Sequence, residues 1–129
     1  MPAVRSHMSR DLLTAAPSDT ITEVAQRMVE RNIGAVLVLD EGRLVGIMTE
    51  RDLMRAVARG LRGEAAVADH MTRDPDTIEP GDTVEHAAVL MIHGGFRHLP
   101  VVEGDELLGI LSIRDLVQVA LEDSAPRGV

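Results

Sequence analysis

Gly46-Ile47-Met48-Thr49-Glu50-Arg51-Asp52-Leu53 returns sixty-three residues later as Gly109-Ile110-Leu111-Ser112-Ile113-Arg114-Asp115-Leu116. The correspondence runs outward without a gap, Ala3–Leu53 onto Ala66–Leu116. Nineteen of these 51 positions are identical, among them His7/His70, Met8/Met71, Pro17/Pro80, Asp19/Asp82, Thr20/Thr83 and Met28/Met91. A gapless match of this length means two copies of one supersecondary unit. Copies of about 60 residues are each too small to hold a core alone, so the two are expected to fold as one body.

The hydrophobic pattern of each copy reads strand, helix, strand, strand, helix. Leu12-Leu13-Thr14-Ala15 is a short apolar stretch, and Pro17 follows it. Thr20 and Glu23 have the spacing of a capping box at a helix start. Ile21, Val24, Ala25, Met28 and Val29 recur at helical spacing as a core-facing stripe, repeated as Val84, Ala87, Ala88, Met91 and Ile92. Ala35-Val36-Leu37-Val38-Leu39 reads as a buried strand, Glu41-Gly42 as a turn, and Arg43–Met48 as the returning strand. The second copy gives Leu99–Val102, Gly104-Asp105 and Glu106–Leu111. A closing helix is expected to turn Leu53, Ala56 and Val57 inward, and in the other copy Leu116, Val117, Ala120 and Leu121. The expected fold class is α/β, more strictly α+β: two β-α-β-β-α repeats packed sheet to sheet about a pseudo-twofold axis. The organisation expected is residues 1–60 as the first repeat, 61–64 as a linker, 65–122 as the second repeat and 123–129 as a frayed tail.

Composition bounds the function. The chain has 129 residues and no cysteine, which removes disulfides, thiolate nucleophiles and cysteine metal sites. All thirteen cations are arginine, and 21 acidic residues leave a net charge of −8. That balance repels nucleic acid and anionic membranes, and a single aromatic residue, Phe96, offers no stacking platform. A small anion held by a few arginines stays open. Neither a signal-like apolar run nor a membrane-length segment is present, so the expected location is the cytoplasm.

The repeated octapeptide holds a hydroxyl, an arginine and an aspartate at a strand-to-helix turn. A helix N-terminus carries free N–H groups and partial positive charge, which suits a phosphate. Thr49 or Ser112 can donate to a phosphate oxygen, and Arg51 or Arg114 can neutralise it. Asp52 or Asp115 accepts only, and suits a ribose cis-diol. The same residues have a plainer use, since Thr or Ser before a helix is an N-cap and Asp in the first turn complements the dipole. Duplication does not separate the two, because caps duplicate as well.

Taken together, Met-Ser/Thr, Pro-x-Asp-Thr, Leu99-Pro100-Val101-Val102 and Gly-Ile-x-Thr/Ser-x-Arg-Asp-Leu, in this order and doubled, resemble a tandem pair of CBS domains, a Bateman module, over residues 3 to 122. The resemblance implies a regulatory, non-enzymatic protein, of the energy-sensing kind, which binds an adenine nucleotide (AMP, ADP, ATP, NAD or S-adenosylmethionine) in inter-repeat clefts. It implies no obligatory cofactor, a disc-like homodimer, and a regulated partner protein that the sequence does not identify. Carried onto this chain, one cleft joins Leu12, Leu13, Gly34 and Ala35 to Ile110, Ser112, Arg114 and Asp115. The other joins Pro75, Asp76, Arg97 and His98 to Ile47, Thr49, Arg51 and Asp52. Gly34-Ala35 leaves room for a flat base where Arg97-His98 is bulky, which ranks the Asp115 cleft first; Arg97 could also reach its phosphate.

Other constellations carry less. His86 and His93 stand seven apart with no third ligand, Ser112, His98 and Asp115 lack a nucleophile elbow, and no glycine-rich phosphate loop occurs. Two functions remain: a small-molecule sensor, or a structural and protein-interaction module whose clefts stay empty.

Overall fold

The computed structural model describes residues 2–124. They form two compact units, one spanning Asp11–Pro75, the other made of residues 2–10 together with 76–124. The first unit contains β1 (Thr14–Ala15), α1 (Ile21–Arg31), β2 (Ala35–Asp40), β3 (Arg43–Thr49), α2 (Glu50–Ala58) and β4 (Thr72–Arg73). Its sheet runs β1-β2-β3-β4. Strands β1 and β2 are parallel because α1 carries the chain back between them, whereas β2 and β3 are antiparallel across the two-residue turn Glu41-Gly42. Both turn residues have left-handed φ, 50° and 80°, as a tight hairpin loop demands. The second unit contains α3 (Val84–Gly94), β5 (His98–Glu103), β6 (Glu106–Ser112) and α4 (Ile113–Ser124). Single bridges from Ile78 to Val101 and from Ser9 to Ile110 complete the same pattern on either side of β5 and β6. The α+β class and the doubled strand-helix-strand pattern are as the sequence implies.

Packing and repetition are out of step. The segment after Ala66, which opens the second sequence copy, packs into the first unit and supplies Val67 and β4. Residues 2–10, which open the first copy, pack into the second unit, where Val4 is fully buried. Each leader hydrogen-bonds the turn before a helix. Val67 N–H donates to Asp19 O and Ala68 N–H to Pro17 O, while Val4 N–H donates to Asp82 O and Arg5 N–H to Pro80 O. The stretch 61–64, expected as a linker, is docked in the same way. Gly63 O accepts the Thr22 N–H and hydroxyl, and Leu61 packs on the first core. First-turn N–H groups of α1 are thereby satisfied.

Each leader crosses its β-hairpin at a glycine. Gly46 and Gly109 follow bulges in which the register shifts after Val38 and Val101. A Cβ on Gly46 would lie 2.3 Å from Met71 Sδ, and one on Gly109 would lie 2.7 Å from Ser9 O and 2.8 Å from Met8 Sδ. Glycine inside a strand is the signature of such close backbone approach.

The helix stripes are narrower than expected. Ile21, Val24 and Met28 are buried in α1, and Val84, Ala87 and Met91 in α3. Val29 and Ile92, by contrast, are 81% and 76% exposed. Both sit about 80° around the helix from the first stripe residue, outside the arc one sheet can cover. For the same reason Val57 is exposed beside buried Ala56. In α4 it is Val119, the counterpart of Ala56, that is buried beside half-buried Leu116; Val117, Ala120 and Leu121, expected inward, are exposed. Asp123 and Ser124, expected in the tail, belong to α4, and the rest of that tail lies outside the described residues.

Thr20 caps α1 by accepting the Glu23 N–H at 3.1 Å. Instead of returning the bond as a capping box, the Glu23 carboxylate lies 3.6 Å from Arg27. Arg27 also holds Asp19 at 3.1 Å, and Asp19 accepts the Ala16 N–H. The Ala16 N–H, then the Arg27 guanidinium, draw the Asp19 carboxyl below its ordinary value of 3.8, against the opposing effect of burial. A lowered folded-state value means stability that is present above pH about 3.8 and lost as pH falls through the folded value. Asp19→Asn should therefore flatten the acid limb of a pH–stability curve and leave the curve above pH 5 unchanged in shape. Urea titrations at stepped pH read this directly; an acid limb as steep as the original would remove Asp19 from the account.

Candidate functional site

Strand β3 ends and α2 begins at Thr49. The Thr49 N–H and hydroxyl donate to Asp52 Oδ2 at 2.9 and 3.0 Å, and the Asp52 N–H donates to Thr49 Oγ1 at 3.2 Å. This is a complete capping box. The other Asp52 oxygen, Oδ1, accepts the Thr72 hydroxyl at 3.0 Å and stands 4.0 Å from the Arg55 guanidinium. Asp52 is only 7% exposed.

The second unit repeats the box at the start of α4. Ser112 N–H and hydroxyl donate to Asp115 Oδ2 at 2.7 and 2.9 Å, and the Asp115 N–H donates to Ser112 Oγ at 3.3 Å. No described residue donates to Asp115 Oδ1, and the residue is half-buried. The counterpart of Arg55 is Gln118, so no cation takes that place.

In both turns the carboxylate accepts only, so the hydroxyl hydrogen is directed at the aspartate of its own box. First-turn N–H groups are partly used too: Glu50 N–H donates to Gly34 O, and Ile113 N–H to Arg97 O. Arg51 and Arg114 are both exposed, and each aspartate offers a ligand whatever acceptor capacity its box leaves it.

The remaining expected residues are placed as follows. In the first unit Leu13 is buried in the core and Leu12 half-buried. Ala35 pairs in register with Thr49, and Ile47 with Leu37, so Gly34 and Ala35 stand beside the Thr49 box. In the second unit His98 pairs with Ser112 and Ile110 with Pro100, which sets exposed Arg97 and half-buried His98 beside the Ser112 box. Pro75 closes the first unit and exposed Asp76 opens the main segment of the second. Sequence reasoning missed Thr72. Its signal was the alignment of Thr72 with Ser9, a hydroxyl kept at the strand that borders the motif.

No group of three metal-ligating side chains gathers among the described residues, and no described helix is long and apolar enough to cross a membrane.

Comparison with known proteins agrees with this geometry. The CBS domain family model matches residues 4–59 and 67–122. An uncharacterized 17.7 kDa protein of Acidianus ambivalens is 40% identical over 108 residues, 82% of this chain, and the chain spans 65% of that relative's length. A CBS domain protein of Pyrobaculum aerophilum complexed with AMP superposes with a TM-score of 0.86 at 30% identity, covering 96% of this chain and all of that one. The CBS domain pair of protein MJ0100, in complex with 5′-methylthioadenosine and S-adenosyl-L-methionine, gives 0.88 at 27% identity, over 95% and 98% of the two chains.

Proposed function

The chain belongs to the CBS-domain family, and from that premise we propose that it is a regulatory protein which binds an adenosine-containing nucleotide and passes the change in shape to a partner protein. The observation that carries the proposal is the doubled hydroxyl–arginine–aspartate turn at a helix N-terminus, in a chain whose structural neighbours were crystallised with AMP and with S-adenosyl-L-methionine. In this reading the aspartate of an occupied turn, Asp115 or Asp52, faces the ribose hydroxyls. Arg114, Arg51 and Arg97 neutralise phosphate. Ile110 and His98 in one unit, and Leu12, Leu13, Gly34, Ala35 and Ile47 in the other, are the residues this reading assigns to base contacts. Each turn's hydroxyl is held by the aspartate of its own capping box, and the reading is binding without catalysis.

The test is thermal unfolding in millimolar AMP, ADP, ATP, NAD and S-adenosylmethionine, followed by circular dichroism because the chain has no Trp or Tyr. A ligand at 100 times its dissociation constant stabilises by about 2.7 kcal/mol, several degrees for a chain of this size. A shift with one adenine ligand names the effector; no shift with any of them sinks the nucleotide reading.

A second reading has its own observation. Complete capping boxes at Thr49 and Ser112 account for the repeated motif without a ligand, and a structural or interaction module would keep them. Self-association supports either reading. Val29, Val57, Ile92 and Leu121 are all more than 60% exposed, and burying such side chains against a second copy gains about 1.5–3 kcal/mol each. Light scattering should give a dimer mass for the native chain and a monomer mass for Ile92→Asp; a native monomer removes the homodimer.

A further inference from the structure

We propose that the chain takes a single adenosine ligand, at Asp115, because Thr72 occupies the carboxylate of Asp52; this rests on the nucleotide reading above and sets its stoichiometry. The two capping boxes are matched in their Oδ2 bonds, so the difference between the aspartates lies wholly in Oδ1. In Asp52 that oxygen accepts the Thr72 hydroxyl at 3.0 Å, has the Arg55 guanidinium 4.0 Å away, and belongs to a side chain 7% exposed. A ribose diol would have to displace Thr72 and recover a bond to an ion that is already satisfied. Exchange of one charge-assisted hydrogen bond for another brings no net gain, and the diol still loses its water.

Asp115 Oδ1 accepts from no described residue, and the side chain is half-buried. A diol arriving there adds a bond instead of replacing one. The charge environment points the same way. Arg55 partly neutralises Asp52, whereas the corresponding Gln118 leaves Asp115 its full acceptor strength. Thr72 is therefore a positioning residue that acts through Asp52, and the strand β4 that carries it is the element that decides the number of sites.

Titration calorimetry on the full chain tests this, with AMP and S-adenosylmethionine as probes in parallel. The native chain should bind one equivalent. Thr72→Val removes the hydroxyl and keeps the shape, and should raise the affinity at Asp52 by about ten- to a hundred-fold, bringing a second equivalent into range. Thr72→Ser restores the hydroxyl and should return the count to one, which a loss of local packing alone would not do. Thr72→Ala serves as the second variant, with circular dichroism confirming the fold of each. Two equivalents in the native chain, or one in Thr72→Val and Thr72→Ala alike, overturns the inference and leaves nucleotide binding standing. No heat with either probe in any variant overturns both.

Discussion

Gly109→Ala should cost about 3 kcal/mol, roughly 10 °C in the unfolding midpoint, and Gly46→Ala about 1 kcal/mol. The asymmetry follows from what the new methyl group meets. At Gly109 it is the Ser9 carbonyl oxygen, 2.7 Å away, a backbone atom held by reciprocal bonds between Ser9 and Ile110. Relief requires the leader to leave β6, and Val4 with it, which is fully buried in the second core. At Gly46 the obstacle is Met71 Sδ at 2.3 Å, the middle of a side chain with three rotatable bonds that can swing aside. Thermal melts of the two variants read the difference. Equal losses would mean that Ser9 moves as readily as a methionine side chain, and that the leader is not anchored in the second unit.

These glycines also mark where the sequence stops being legible. Periodicity located all four long helices and both hairpins, because those signals are local: an apolar stripe, a two-residue turn, a cap. The stripe at Ile21, Val24 and Met28 was readable for that reason. Val29 was misjudged because the width of the covered arc depends on what packs against the helix, which no helical period reports. The exchange of leaders between copies was hidden more deeply. Offset alignment pairs Ala3 with Ala66 and says nothing of which core Val4 or Val67 enters. Gly46 and Gly109 announced a close approach without naming the approaching strand. At the site the motif residues were legible and their bonds were not. Thr49 and Asp52 have the same spacing as Ser112 and Asp115, yet Thr72 and Arg55, one distant in sequence and one a turn away, give the two aspartates different surroundings.

That difference sets up opposite responses to the same substitution. Asp52→Ala removes an acceptor of three hydrogen bonds from a buried position, and should destabilise the chain by about 2–3 kcal/mol. Asp115→Ala removes a cap from a more exposed turn and should cost about 1 kcal/mol. Ligand response should run the other way. With an adenine nucleotide at saturating concentration, Asp52→Ala should melt lower than the native chain but keep its upward shift, since the vacated carboxylate held no ribose. Asp115→Ala should melt near the native temperature and lose the shift of about 2.7 kcal/mol expected at 100 times the dissociation constant. One set of melts, three proteins with and without nucleotide, separates a carboxylate that holds the fold from one that holds a ligand. If Asp52→Ala alone loses the shift, the ligand sits on the buried carboxylate and Thr72 yields to it. If both variants lose only stability, the two boxes are caps and the chain acts through its surface.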